Sequence, residues 1–389
     1  MLKRNLMEDF DVQFEDNDES ESSDSNDGST PETPFSTKNI KVNTQTIALS
    51  TLIARLEYDE IDLQPSFQRK SGLWTNSQMS RLIESILLKM PLPIFYFDVA
   101  DPDKWLVVDG LQRLSAIKRF AVPQSAGCKR VNPLKLTNLE FLTDLNGKGY
   151  KDLPRPMQRV IDETQVVTYQ IEPQTPKEVR YSIFNRINTG GLKLNAQEIR
   201  QALNQKGVAV NFLKEICDSP VFKKVVNIKT ERMLDRELVL RFFAFRLLKV
   251  DESFKGLSPF LDRAMEKIDE DITISPQLAL LKQEFEDALL MSEELLGSNH
   301  KFSKAIIGEG KNSLNRSLFD VLTVSLSLVK DKKAFCKHKN QFKKELIDMI
   351  EDETSLFFQA IFQGTSSKRA VVDRFKEMNQ LIKKIENLT

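Results

Sequence analysis

The sequence has little histidine and little cysteine. Its only histidines are His300 and His338, and its three cysteines, Cys128, Cys217 and Cys336, lie far apart. No cysteine stands near a histidine at a metal-ligand spacing, which argues against a zinc site. A histidine-rich nuclease module of the HNH kind cannot be built from two histidines. An odd, scattered set of cysteines excludes a disulfide framework and fits a reducing compartment, so the chain is expected to be cytoplasmic. No run approaches the roughly 18 apolar residues of a membrane helix. The first residues turn acidic rather than apolar, so no secretory signal is expected.

Net charge is also missing, since Lys+Arg and Asp+Glu both number 56. The balance hides a segregation. Residues 1–39 carry eleven acids and three bases, net −8, which leaves 45 acids and 53 bases, net +8, on the rest. Ten of the acids fall between Glu8 and Asp27 with no base among them. Such a stretch cannot bury enough apolar surface to offset its ordering entropy. Residues 1–43 therefore read as a disordered, solubilising acidic tail, within which Phe10, Val12 and Phe14 alternate as a short docking strand would.

What is present is ample. With 389 residues, 40% hydrophobic and 29% charged, the chain has material for two or three domains around real cores. Order is expected from Thr44. Ile47, Leu49, Leu52, Ile53 and Leu56 follow helical spacing up to Tyr58-Asp59. Ile61 to Leu63 reads as a short strand. A helix capped near Thr75 to Ser77 carries the stripe Met79, Leu82, Ile83, Ile86 and Leu87. Ile94 to Val99 and Trp105 to Val108, split by Asp101-Pro102-Asp103, read as an antiparallel pair leading into Asp109-Gly110 and a helix to Phe120. Gln165 to Ile171 is a further strand. Thr175-Pro176 opens a helix ending at Asn188 to Gly191, and Asn195 with Glu198 makes a capping box. Beyond about residue 205 the pattern is helical, with examples at 234–248, 276–296, 314–329, 344–358 and 371–388.

Three segments could carry chemistry. Pro65 to Arg69, followed by Trp74, delivers Gln68 and Arg69 after a strand; a guanidinium fork suits phosphate. In Val107 to Arg113, an apolar strand enters Asp109-Gly110 and then a helix start bearing Gln112 and Arg113. Free N–H groups beside an arginine form a natural phosphate site, and Asp109 could hold a metal ion or orient a water; equally, Asp109 could simply cap the helix. In Phe184 to Gly191, Asn185, Arg186, Asn188, Thr189 and Gly190 crowd one helix end, more polar density than a helix stop requires. The basic runs at 330–344 and 368–374 read as solvated faces, Phe242, Phe243 and Phe245 as core, and the cysteines as small buried hydrophobes.

In this order the segments are specific. The chain resembles the N-terminal domain family of GmrSD-type modification-dependent restriction endonucleases, a ParB/sulfiredoxin-like group with a DGQQR signature. The resemblance rests on Gln68-Arg69 with Trp74, Leu82 to Ile86, Pro91-Leu92-Pro93, Asp109-Gly110-Leu111-Gln112-Arg113 and Phe184 to Asn188. It covers about residues 45–205 and continues more loosely through Arg241-Phe242-Phe243 towards Arg374. It implies an α+β fold: a ParB-like domain with a small mixed sheet at 44–205, followed by a mainly helical domain at 206–389. It further implies a nucleotide-binding, NTP-hydrolysing component of an anti-phage restriction system, using Mg²⁺ and a nucleoside triphosphate. Asp109, Gln112 and Arg113 would then be catalytic, with Asp109 on the metal. Gln68, Arg69, Gly110, Asn185, Arg186, Asn188, Thr189 and Gly190 would line the nucleotide pocket. Its partners would be DNA and a separate nuclease subunit, with no membrane. The alternatives are a non-hydrolysing nucleotide- or DNA-binding module and a direct ParB-like nuclease. Two departures stand out: Leu111 replaces the first glutamine of the signature, and no HNH-like effector is present.

Overall fold

The protein is α+β. A computed structural model describes residues 13–14, 40–63, 74–122, 133–187, 195–204, 207–226, 228, 233–270, 275–297, 302–307 and 313–388. The acidic tail lies outside these residues except for a two-residue strand, β1 (Gln13–Phe14). The chain divides into two compact units, one of Gly28–Leu203 and one of Asn204–Thr389 with Met1–Asp27.

The first unit is built on a five-stranded mixed sheet. Its elements run β2 (Val42–Ala48), α1 (Leu49–Glu57), β3 (Ile61–Asp62), α2 (Asn76–Leu87), β4 (Phe95–Asp98), β5 (Trp105–Asp109), α3 (Leu111–Ala121), α4 (Arg155–Glu163), β6 (Gln165–Ile171), α5 (Lys177–Ile187) and α6 (Ala196–Leu203). The strand order is β2-β6-β4-β5-β3. β2–β6 and β4–β5 are antiparallel, whereas β6–β4 and β5–β3 are parallel.

The expected helix from Thr44 is corrected by β2. Val42 to Ala48 pairs with β6 through all seven residues, and helix begins only at Leu49. β2 is an exposed edge strand of mostly polar residues, so it carries no hydrophobic alternation to betray it. Elsewhere expectation and structure meet. The β4–β5 pair is antiparallel, α3 follows Asp109-Gly110, and β6 spans Gln165–Ile171. Thr75 caps α2 in a capping box with Gln78, and Asn195 and Glu198 exchange backbone-to-side-chain bonds at the start of α6. Thr175 acts as a tie: its hydroxyl donates to Lys41 O at 2.9 Å and accepts from Lys41 N–H at 3.1 Å, joining the start of β2 to the entry of α5.

The core lies between one sheet face and α1–α3, and includes Leu52, Ile83, Phe95, Phe97, Val107 and Ile117. The irregular stretch after α3 is held by one carboxylate. Glu84, buried on α2, accepts from the N–H groups of Phe141 and Leu142 at 2.7 Å each and of Glu140 at 3.0 Å. Burial alone pushes Glu84 up, but the N–H donors of Leu142, Glu140 and Phe141 outweigh it and hold its pKa below the usual value.

The second unit is helical: α7 (Val208–Cys217), α8 (Pro220–Val226), α9 (Leu234–Leu247), α10 (Leu257–Glu270), α11 (Ser275–Leu296), α12 (Arg316–Ser327), α13 (Lys332–Cys336), α14 (Lys339–Glu351), α15 (Leu356–Phe362) and α16 (Lys368–Glu386). β7 (Ser313–Leu314) pairs in parallel with β1. The single helix expected over 344–358 is two, because Asp352 takes a turn with Thr354 and Ser355 caps α15. Phe242, Phe243, Phe285 and Phe319 fill the core. Cys217 is buried and Cys336 half-buried, both free, and burial together with Glu294 raises the Cys336 thiol to about 11. Through this core runs a buried charge network. Arg241 grips Asp320 through Nε and a terminal amine at 2.7–3.1 Å, and Arg374 reaches the same carboxylate at 3.4 Å. All three are at most 2% exposed. Among the described residues no helix is long and apolar enough to cross a membrane.

These carboxylates set two stability expectations. Asp320→Asn leaves two buried guanidinium groups short of their anion and should cost about 3–5 kcal/mol in denaturant unfolding of the full chain. Glu84→Gln removes acceptors from buried N–H groups and should cost about 1–3 kcal/mol at neutral pH. Because the folded-state pKa of Glu84 is depressed, its stabilisation is complete above the ordinary glutamate value and fades as pH falls through the folded one. The gap between wild type and Glu84→Gln should therefore close in acid; a gap that widens there contradicts the assignment.

Candidate functional site

The site grows from the junction of β5 and α3. β5 ends at Asp109, and Gly110 turns the chain with φ +101° before the first turn of α3. Glycine is required there on two counts. The left-handed backbone disfavours a side chain, and an added Cβ would stand 2.5 Å from Cδ1 of Phe95. No side chain caps α3, so Asp109 does not serve as its cap. The first-turn N–H groups have no intrahelical acceptor.

Arg113 organises this corner. It is buried, and its guanidinium donates to the carbonyls of Pro93 and, at 3.2 Å, Ile94. It also forms a 2.8 Å ion pair with Asp109 Oδ2 and lies 4.5 Å over the Phe95 ring. Burial pulls Arg113 below its usual pKa while Asp109 holds it up. The expected phosphate-facing arginine is thus turned inward, where it joins the approach to β4, the end of β5 and the start of α3. The Asp109 carboxylate keeps 33% side-chain exposure, with Oδ2 engaged and Oδ1 accepting no side-chain hydrogen bond among the described residues.

Gln112 also has a structural contact. Its Oε1 accepts the Trp74 N–H at 3.1 Å, which fixes the start of α2 where the chain emerges from residues 64–73. Leu111 packs against the core. Gln68, Arg69, Asn188, Thr189 and Gly190 lie outside the described residues. Asn185 falls in α5, and Arg186 is exposed on its last turn. Among the described residues no hydrogen bond or ion pair joins Arg186 to Asp109.

The structure adds residues that the sequence reading missed. Tyr96 is the cross-strand partner of both Asp109 on β5 and Tyr169 on β6. Directly paired residues share a face, so the two tyrosines and Asp109 stand together on the sheet face opposite the α1–α3 core. The tyrosine rings are 5.1 Å apart at 50°. Burial, then Tyr169, then Asp109 raise the Tyr96 hydroxyl, which stays protonated as a donor. Asp98 shares this face two residues on, and is joined by Arg180 of α5 at 3.3 Å. Burial raises Asp98 above the usual carboxylate value and Arg180 opposes the shift. The alternation Phe95-Tyr96-Phe97 was the available signal: the phenylalanines face the core, which sends the tyrosine to the other side.

Residues 49–205 match the family described as "GmrSD restriction endonuclease, N-terminal domain". No curated protein and no solved structure matches the chain.

Gly110→Ala should lose about 1–3 kcal/mol from backbone conformation alone, with a further loss from displacing Phe95. Urea denaturation of the full chain checks it; wild-type stability would refute the tight Gly110–Phe95 contact.

Proposed function

Because residues 49–205 place this chain in the GmrSD restriction endonuclease N-terminal domain family, among components of restriction and defence systems, we propose that this domain binds a nucleoside triphosphate and hydrolyses it at Asp109 to control action on foreign DNA. The observation that carries the reading is a half-open carboxylate, locked by a buried arginine, beside an uncapped helix start.

The residues then divide the work. The first turn of α3 offers N–H groups to phosphate oxygens. Asp109 holds Mg²⁺ or the attacking water through its free oxygen. One carboxylate with waters and phosphate oxygens is an ordinary Mg²⁺ environment, and among the described residues no denser cluster of metal ligands occurs. When bound, the ion would neutralise charge on the phosphates. Arg113 is a positioning residue, because its donors are spent on Pro93, Ile94 and Asp109. Gln112 positions the segment that carries Gln68 and Arg69, which are proposed to meet phosphate, with Arg186 on α5 as a further candidate. Tyr96 and Tyr169 offer aromatic wall and hydroxyl donors beside Asp109. DNA is proposed to meet the mildly basic body, and a separate nuclease subunit to supply cleavage.

The inward turn of Arg113 favours a second reading, nucleotide binding without turnover. Phosphoryl transfer depends on charge stabilisation at the transferring group, and this arginine does not provide it.

A panel of ATP, GTP, CTP and UTP with Mg²⁺, with and without DNA, separates the two. Asp109→Asn should lower phosphate release by about 10²–10⁴-fold while leaving the fold intact by circular dichroism. Undiminished release in that variant rejects hydrolysis at Asp109. Binding by wild type with no release selects the second reading.

A further inference from the structure

α6 is a polar helix that is almost wholly buried. Gln197, Glu198, Arg200 and Gln201 are each 2% exposed or less. Polar groups taken out of water cost free energy unless they find partners. Glu198 has one in its reciprocal bonds with Asn195, at 2.7 and 2.8 Å. Arg200 reaches Gln197 Oε1 at 3.4 Å. That contact also fixes the amide orientation, since the oxygen and not the NH₂ must face a guanidinium. Gln197 Nε2 is then left with no hydrogen-bond partner, on a side chain with no exposure. On α5, against which α6 packs, the buried Nε of Arg180 is in the same state.

Both orphan groups are N–H donors, so what would satisfy them must present acceptors. A purely structural amide at this position would be better replaced by an apolar side chain of equal volume, because the unsatisfied donor only destabilises. α6 follows directly on the segment bearing Asn188, Thr189 and Gly190, and it packs on the helix bearing Arg186.

We propose that Gln197 is a ligand-binding residue whose Nε2 donates to an acceptor on the nucleotide, a base oxygen or ring nitrogen or a phosphate oxygen. This rests on the nucleotide-binding reading above. Gln197 thereby extends the site from the β5–α3 corner to α6.

The test uses the full chain and its Gln197→Met variant. Melting temperature is measured without ligand. Calorimetric affinity is measured for ATP and GTP with Mg²⁺, for adenosine and guanosine, and for inorganic tripolyphosphate. The expected result is an unchanged or higher melting temperature without ligand, together with at least a tenfold rise in Kd for the nucleotide that wild type binds. A matching loss with the nucleoside assigns the acceptor to the base, and one with tripolyphosphate assigns it to the phosphate. A wild-type Kd in Gln197→Met overturns the proposal and leaves the nucleotide reading standing. Wild type binding none of the five probes overturns both. Gln197→Glu keeps the shape and the Arg200 contact but replaces the donor with an acceptor; it reads the same way should the methionine variant fail to fold.

Discussion

The first unit depends on the buried guanidinium of Arg113. Four pieces of chain meet at it: the Pro93 and Ile94 carbonyls ahead of β4, the Phe95 ring, Asp109 at the end of β5, and the first turn of α3 to which it belongs. A planar fork with five donors can serve three acceptors and stack on a ring at once, and a lysine cannot. The constraint propagates outward. Phe95 is held between the Arg113 guanidinium and Gly110, so the turn must be glycine. With the turn fixed, Asp109 is presented at one angle only. Charge burial here yields geometry more than stability, since the pair must first offset its own desolvation.

Much of this arrangement could be read from the residues. β4, β5, α3 and β6 followed from alternation, apolar runs and a turn, and the capping boxes at Thr75 and Asn195 from residue types at fixed offsets. What could not be read has physical reasons. β2 is a polar edge strand whose place in the sheet is set by its ladder with β6 and not by a pattern of its own. α14 and α15 share one hydrophobic period, interrupted by local side-chain bonds at Asp352 and Ser355 that hydrophobic spacing does not register. Tyr96 and Tyr169 meet Asp109 only once the register is known, and register is a property of pairing. Arg113 stands beside Asp109 as its spacing suggests, but whether an arginine faces solvent or core depends on carbonyls nearly twenty residues earlier in the chain.

The two units use buried arginine differently. In the helical unit, Arg241 and Arg374 share Asp320 with no exposure to speak of, and Glu237 lies 3.5 Å from Arg241 and 3.8 Å from Arg316. That network is closed to solvent and joins α9, α12 and α16. In the sheet unit the Arg113–Asp109 pair is lopsided, with a buried cation and a half-exposed anion. A closed network specifies packing; a lopsided pair leaves one carboxylate oxygen for something outside the protein. This contrast is why the β5–α3 corner, and not the more heavily charged helical core, is the candidate centre.

Leu111 bears on the same question. It stands where the family signature has its first glutamine, and it packs against the core on the first turn of α3. A side chain in that position cannot also reach a ligand at the helix start, so its replacement changes packing and not the open face. The polar work at the corner falls to Asp109 and the α3 backbone, with Gln112 and Arg113 as supports. An uncapped helix start and a fixed carboxylate suffice to bind a phosphate with its metal. They do not by themselves stabilise charge on a transferring group. Turnover therefore requires a cation from elsewhere in the protein, and the segments bearing Arg69 and Arg186 are those on which the sequence places one.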